Sequence, residues 1–238
     1  MHLQRPEEDG LLVSVQEFLS VIPADFGGGC SVAKAGLLAS LIRHWSLRST
    51  VDIGVYRGRS LFSQAIAHKH YTGGVVYGID PWSAEEAKME DNLELKERID
   101  RFFRETDFEA IYEEVKTIRR ESRFFGHCAL LRMTSAEAAS LFERRGTIFG
   151  LVHIDGNHDT ERVTEDVCLY LPRVVRGGFV VLDDVSWDSV RPAYEQLAAE
   201  TMLIFERTEG DDDYAVFWKG NSPQGATDRT KFCERMST

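Results

Sequence analysis

The feature that most constrains the fold is a pair of short apolar runs that each end in acidic residues, with a helical stretch between them. The runs are Leu151 to Asp155 and Phe179 to Asp183, and Asp184 follows the second. This order predicts a strand, helix, strand unit of a parallel sheet. In open parallel sheets, ligands bind outside the carboxyl ends of the strands. The sequence therefore predicts an α/β domain in which three carboxylates face one crevice.

Converging carboxylates indicate a site for a hard cation. Asp155, Asp183 and Asp184 offer oxygen ligands, which suit Mg²⁺ or another divalent cation, whereas zinc would require Cys or several His. The alternative is that each of the three is a helix cap or an exposed loop residue, positions in which Asp is common.

Composition narrows the classes of function. The chain has 238 residues, a net charge of −11 and a pI near 5.2. This acidity argues against nucleic acid as a partner, because phosphate backbones attract clustered Lys and Arg. Its four cysteines show no paired spacing, which favours reduced thiols and a cytoplasmic protein. The apolar patch from Leu11 to Ile22 is interrupted by polar residues, so we expect neither a signal peptide nor a membrane span.

A second strand and loop signal lies in the first half of the chain. Thr50 to Gly54 is an apolar run that ends in glycine, and a loop with a further glycine, Gly58, precedes a helical stretch. The next apolar run ends in Asp80, and Pro81 prevents a helix from continuing there. We therefore expect Asp80 at the carboxyl end of a strand, although it could instead cap the turn before the proline.

The last strands predict a hairpin. Met202 to Glu206 and Tyr214 to Trp218 are apolar runs joined by about seven residues, whereas a parallel crossover needs a dozen or more. We expect these strands to be antiparallel. The predicted organisation is an N-terminal helical cap (1–47), a main α/β domain (48–220) with a helical insertion (83–122), and a loosely packed polar tail (221–238).

Over residues 48–220 the chain resembles class I S-adenosylmethionine-dependent methyltransferases. The resemblance depends on Asp52-Ile53-Gly54-x-x-x-Gly58, on Asp80 after the second strand, and on the closing hairpin. It implies a Rossmann-like, mostly parallel sheet with a C-terminal antiparallel hairpin, and S-adenosylmethionine as the cofactor.

Three motifs are together similar to metal-dependent O-methyltransferases of natural-product sugars, of the macrolide and aminocoumarin tailoring type. In chain order they are Gly54-Val55-Tyr56-Arg57-Gly58-x-Ser60, Ile154-Asp155-Gly156-x-His158 and Gly177-Gly178-x-x-x-x-Asp183-Asp184. This resemblance implies a small hydroxylated metabolite or sugar as substrate, and a homo-oligomer is a further expectation that the sequence leaves open.

The resemblance also implies a set of cofactor-binding residues. These are Asp52, Gly54, Tyr56, Gly58, Ser60, Asp80, Trp82, Thr134, Ser135 and Asp155. Asp80 would accept hydrogen bonds from both ribose hydroxyls, as a carboxylate can. Trp82 and the Thr134-Ser135 turn would lie near the adenine. Ser60 is equally well explained as a helix cap, and Tyr56 as a residue of a surface loop.

The implied reaction centre consists of Asp155 and His158, with Asp155, Asp183 and Asp184 as the metal ligands. Some sugar methyltransferases have an acidic base two positions after the first ligand, where this chain has Asn157. An amide cannot accept that proton. A histidine exchanges protons near neutral pH, so we predict His158 as the base. The alternatives are a structural role for His158 and activation of the hydroxyl by the metal alone.

Two other functions are compatible with the same pattern. A glycine loop followed by an acidic residue could hold NAD in an oxidoreductase, although the full G-x-G-x-x-G is absent and the hairpin argues against it. A protein that binds the cofactor without catalysis is the other alternative. His153 lies inside a predicted strand, where we expect a packed core histidine rather than a ligand.

Overall fold

The computed structural model describes residues 6–24, 29–91, 96–209 and 212–237, and these form one seven-stranded sheet between two layers of helices. The strands are β1 (Ser49–Ile53), β2 (Val75–Ile79), β3 (Cys128–Leu131), β4 (Phe149–Ile154), β5 (Val174–Asp183), β6 (Met202–Glu209) and β7 (Asp212–Trp218).

The helices mostly occupy the connections between strands. They are α1 (Pro6–Leu19), α2 (Val32–His44), α3 (Arg59–Ala67), α4 (Ala84–Ala87), α5 (Lys96–Glu105), α6 (Phe108–Glu121), α7 (Ser135–Arg145), α8 (Thr160–Tyr170), α9 (Arg191–Glu200) and α10 (Pro223–Met236). None of the described helices has both the length and the apolar character needed to cross a bilayer.

The strand order is β3-β2-β1-β4-β5-β7-β6, with β7 antiparallel to both of its neighbours and the other strands parallel. This confirms the predicted α/β fold and its closing hairpin. Gly210 and Asp211, at the predicted hairpin tip, lie outside the described residues. The chain order reverses between β1 and β4, and such a switch point leaves a crevice at the carboxyl ends of the strands.

The central strands are apolar on both faces because helices cover both sides of the sheet. Every residue of β4 is buried. Leu151 and Phe179 pack into the core beneath α1, α2, α3 and α10, whereas the neighbouring Val152 and Val180 pack into the core beneath α7, α8 and α9. Alternate side chains of one strand thus serve different cores, as the two-residue period of a strand requires.

The N-terminal helices are attached to the sheet through a buried arginine. The Arg59 guanidinium, at the start of α3, donates hydrogen bonds to the carbonyl oxygens of Leu19, Ile22 and Cys30 at 2.7 to 3.1 Å. Its side chain reaches from the first βα loop into the predicted cap. This contact fixes the segment that leads into α2.

The C-terminal segment was predicted incorrectly as a loosely packed polar tail. Residues 223–236 form α10, which Ser222 caps, and Phe232, Cys233 and Met236 are buried against the core. The Arg229 guanidinium stacks over the Trp218 ring, 4.1 Å from its centroid. Three apolar residues at helical spacing are enough to dock a helix whose composition is otherwise polar.

Candidate active site

A cavity of about 330 Å³ opens at the carboxyl ends of the parallel strands. Loops after all five parallel strands contribute to its wall, which includes Gly54, Asp80, Ser135, Asp155, His158 and Asp184. Most of the residues predicted for the cofactor and the reaction centre therefore meet in one place. Thr134 and Tyr56 also line the cavity.

Gly54 allows the loop after β1 to pass directly beside the loop after β4. Its φ is +86°, and a Cβ there would lie 1.8 Å from the carbonyl oxygen of Asp155. No side chain fits, so the requirement for glycine is steric as well as conformational. Gly58 has a different role, because it precedes the first residue of α3 and has a φ of +85°. A Cβ at this position would lie 2.6 Å from the Phe62 ring. Gly58 does not line the cavity.

Asp80 follows β2 and faces the cavity with its carboxylate fixed by backbone donors. The Tyr56 N–H donates to one oxygen at 2.8 Å, and the Trp82 N–H donates to the other at 2.6 Å. Burial raises the pKa of Asp80 to about 6, despite the opposing effect of these hydrogen bonds. Asp80 is thus a positioned acceptor at the cavity wall.

Trp82 is buried behind the cavity and is absent from its wall. Its indole N–H donates to the Tyr56 carbonyl oxygen at 2.9 Å, and its ring lies 4.7 Å from the Tyr112 ring. Trp82 therefore supports the loop that carries Tyr56, and its ring does not face the cavity where the adenine contact was predicted.

Beside the Thr134-Ser135 turn, the sequence interpretation missed a buried carboxylate, Asp166. Thr134 caps α7 in a capping box with Glu137. Asp166 lies on the buried face of α8, lines the cavity and is only 4% exposed. Its Oδ1 atom has no hydrogen-bond partner among the described residues. Burial raises the pKa of Asp166 to about 7, and a hydrogen bond from Ser135 opposes this effect.

Asp52 and Ser60 do not reach the cavity, because they bond to each other beneath it. Asp52 is fully buried and accepts hydrogen bonds from the Ser60 hydroxyl at 2.9 Å and from the Gln64 amide at 3.1 Å. His153 Nδ1 lies 2.6 Å from the same carboxylate. Asp52 therefore supports the floor of the site.

His153 is buried in β4, as predicted, and links two carboxylates. Its Nε2 atom lies 3.1 Å from Asp183, opposite the bond to Asp52. Burial alone would lower the pKa of His153, but the charges of Asp183 and Asp52 and their hydrogen bonds raise it to about 10. Each ring nitrogen thus has a carboxylate partner, and binding of a metal ion by His153 would require one of these contacts to break.

Lys34 is the second residue that the sequence interpretation missed. It extends from the first turn of α2, is 4% exposed, and donates hydrogen bonds to Asp183 and, at 3.4 Å, to Asp155. Burial would lower the pKa of Lys34, but the two carboxylates raise it well above its usual value. The only signal in the sequence is a lysine within the apolar helix VAKAGLLASLIRH.

His158 lies between Asp155 and Asp184 at the cavity. Its Nε2 atom is 3.8 Å from Asp155, and its Nδ1 atom is 3.3 Å from Asp184. Neither ring nitrogen has a hydrogen-bond partner among the described residues. Trp187 flanks the ring, with centroids 5.4 Å apart. The imidazole is thus buried at the cavity wall between two carboxylates.

The three predicted metal ligands, Asp155, Asp183 and Asp184, lie close together but have different partners. Asp155, His158 and Asp184 have potential ligand atoms within 4.8 Å of one another. Asp183 differs, because Lys34 bonds to its Oδ2 atom and His153 to its Oδ1 atom. These cations hold the pKa of Asp183 below its usual value, although burial acts in the opposite direction.

Comparison with known families decides which α/β protein this is. A family model described as "Methyltransferase domain" matches residues 51–185, more than half of the chain. The chain belongs to this methyltransferase family. The class of S-adenosylmethionine-dependent methyltransferases that the sequence predicted is thereby confirmed. Among curated protein sequences, none matches this methyltransferase.

Solved structures with the same fold include three O-methyltransferases of low sequence identity. NovP has a TM-score of 0.65 at 13% identity, covering 90% of this chain and 98% of its own. The calicheamicin methyltransferase CalS11 has a TM-score of 0.60 at 17% identity, and the match covers 93% of this chain and 95% of CalS11. TomG of Streptomyces achromogenes has a TM-score of 0.60 at 16% identity, and the match covers 91% of this chain and 100% of TomG. TomG is involved in tomaymycin synthesis, and its structure contains S-adenosylmethionine.

Proposed function

We propose that this methyltransferase transfers the methyl group of S-adenosylmethionine to a hydroxyl oxygen of a small molecule. The observation that carries the proposal is that one cavity joins the Gly54 and Asp80 loops to a buried His158 flanked by Asp155 and Asp184. The structural neighbours NovP and TomG are named as O-methyltransferases, which supports oxygen as the acceptor.

The cofactor would lie across the loops that follow β1 to β4. Gly54 lets its methionine part approach the backbone, and Asp80 accepts hydrogen bonds from the ribose hydroxyls. Asp80 suits this role because two backbone N–H groups already fix the orientation of its carboxylate. Thr134 and Ser135, with Asp166 beneath them, form the wall on the adenine side.

His158 is the proposed base. The substrate oxygen attacks the methyl carbon, the bond from this carbon to sulfur breaks, and the hydroxyl proton passes to His158. The products are the methyl ether and S-adenosylhomocysteine. Asp184, 3.3 Å from Nδ1, stabilises the imidazolium that forms. Asn157 is not an alternative, because its amide nitrogen donates to the Lys88 carbonyl oxygen at 2.8 Å.

A divalent cation such as Mg²⁺ would be held by Asp155 and Asp184, beside the proposed base His158. The hard oxygens of the two carboxylates fit this ion, whereas the third predicted ligand, Asp183, already has both oxygens in hydrogen bonds. Such an ion would orient the substrate and acidify its hydroxyl.

The substrate class is proposed from the cavity and its neighbours. The wall next to the reaction centre combines charged residues with apolar side chains of the insertion, among them Met89, Ile99 and Phe102. This suits a hydroxylated metabolite or a sugar attached to a natural product. The name calicheamicin methyltransferase for CalS11 is consistent with that class.

Calorimetric titration with S-adenosylhomocysteine tests the cofactor site. We expect binding to the unaltered protein and a loss of at least about tenfold in affinity for Asp80→Asn, because the ribose loses a charged acceptor. Asp228→Asn, an exposed carboxylate on α10, is the control that should bind normally. Equal affinity in all three proteins would contradict the assignment of Asp80.

Turnover is tested by release of S-adenosylhomocysteine with a panel of polyols, sugars and phenols. The base assignment predicts that His158→Gln binds the cofactor normally but loses turnover by about a hundredfold or more. Normal turnover in that variant would exclude His158 as the base. Cofactor binding without turnover on any hydroxylated compound would favour a non-catalytic binding protein.

A further inference from the structure

A buried lysine lies where three carboxylates converge at the reaction centre. Lys34 comes from the N-terminal helices, outside the part of the chain that the family model matches. Its ammonium bonds to Asp183 in the protein interior and lies 3.4 Å from Asp155, whose carboxylate is partly exposed. A buried lysine of this kind must be paired, because an unpaired charge in the interior is costly.

A chain of hydrogen bonds runs beneath the cavity. It links Asp52, His153, Asp183 and Lys34, so that each carboxylate has nitrogen partners. The chain ends at Asp155, which faces the cavity. Each oxygen of Asp183 already has a hydrogen-bond partner, so a metal ion can bind Asp183 only by displacing Lys34 or His153.

Lys34 also contributes directly to the cavity wall. An ammonium carries three N–H donors. Two of them point to Asp155 and Asp183, and the described residues offer Lys34 no third side-chain acceptor. The third donor is therefore available to an oxygen atom of a molecule that occupies the cavity.

We propose that Lys34 is the built-in cation of the reaction centre, taking the position between Asp155 and Asp183 that a divalent metal would otherwise occupy and donating a hydrogen bond to the substrate oxygen. This inference rests on the proposed O-methyl transfer. The ammonium stays intact during the reaction, in which the carbon to oxygen bond forms, the carbon to sulfur bond breaks, and His158 receives the proton. Its positive charge stabilises the substrate oxygen as that proton leaves.

Competition between Lys34 and metal provides the test. We expect the unaltered protein to bind Mn²⁺ weakly, in the millimolar range, when free ion is followed by electron paramagnetic resonance. Lys34→Met removes the competing charge and releases one oxygen of Asp183, so its affinity for Mn²⁺ should rise at least about tenfold. Lys116→Met, on the exposed surface of α6, is the control that should match the unaltered protein.

Lys34→Arg keeps the charge and should retain weak Mn²⁺ binding if charge is what excludes the metal. Tight binding in this variant, or no gain in Lys34→Met, would overturn the proposal. If Lys34→Met does not fold, Lys34→Gln removes the same charge with a polar side chain, and an unchanged Mn²⁺ affinity in that variant would contradict the competition.

The same proteins separate this inference from the proposed function. S-adenosylhomocysteine should bind to Lys34→Met nearly as tightly as to the unaltered protein, while turnover without added metal falls at least about tenfold. Normal cofactor binding and unchanged metal-free turnover would reject only the role of Lys34. Failure of the cofactor to bind even the unaltered protein would reject the proposed function itself.

Discussion

Replacing Asp166 with Asn should stabilise the protein above neutral pH and change its stability much less in acid. Asp166 is 4% exposed on the inner face of α8, and one of its oxygens has no partner among the described residues. Burial raises the pKa of this carboxyl from its ordinary 3.8 to about 7. Between pH 3.8 and about 7, the Asp166 carboxyl therefore keeps its proton in the folded protein but loses it in the unfolded chain.

Proton linkage gives the sign and the size of the effect of Asp166 on stability. Because the folded pKa is raised, the stability that Asp166 contributes is complete below about pH 4 and is lost as the pH rises to about 7. A tenfold change in the protonation equilibrium is worth about 1.4 kcal/mol, so the whole interval from 3.8 to about 7 amounts to about 4 kcal/mol. Between about pH 5 and pH 8 the change is about 2.5 kcal/mol.

Urea unfolding of both proteins at about pH 5 and pH 8 measures this effect. We expect the stability of Asp166→Asn relative to the unaltered protein to be about 2.5 kcal/mol more favourable at the higher pH. Asp228→Asn on α10 controls for general pH effects and should show no such difference. The reasoning is refuted if the difference for Asp166→Asn is the same at both pH values, since Asp166 would then be ionised at a compensating partner.

Two further substitutions test the loops that shape the site. Gly54→Ala should prevent stable folding or cofactor binding, because its methyl group would overlap the Asp155 carbonyl. Gly73→Ala is the control, because Gly73 also has a positive φ, +64°, but open space around it. This control should lower the free energy of unfolding by only about 1 kcal/mol in a thermal unfolding assay. Arg59→Met should lower stability by about 2 to 4 kcal/mol and expose the N-terminal helices to protease, and Arg59→Lys should have a smaller effect. Unchanged stability in Gly54→Ala or Arg59→Met would show that these contacts are not required.

Local patterns were sufficient to predict most of the sheet. Apolar runs that end in glycine or aspartate identified β1, β2, β4 and β5, because a strand buried on both faces must be apolar throughout. The short connection between the last two strands excluded a parallel crossover. Asp80 lies at the end of β2 as expected, since the proline after it disfavours a longer strand or a helix.

The wrong and missing predictions share a physical cause. The C-terminal segment contains few apolar residues, and only their packing against the core shows that α10 is ordered. Trp82 looked like a cofactor contact because it follows Asp80, yet its ring turns behind the cavity to support Tyr56. Side-chain direction at such positions depends on neighbours that are remote in the chain.

The sequence by itself determined the class of fold and the positions of the acidic residues at strand ends, because periodicity, glycine and proline act over a few residues. Only the tertiary structure decided how those acids are paired. Lys34 and Asp183 are 149 residues apart in the chain, and only the packing of α2 against the sheet brings the ammonium to the carboxylate. The sheet and its helices thus convert a row of aspartates into a centre with its own cation, because a buried charge is stable only beside its partner.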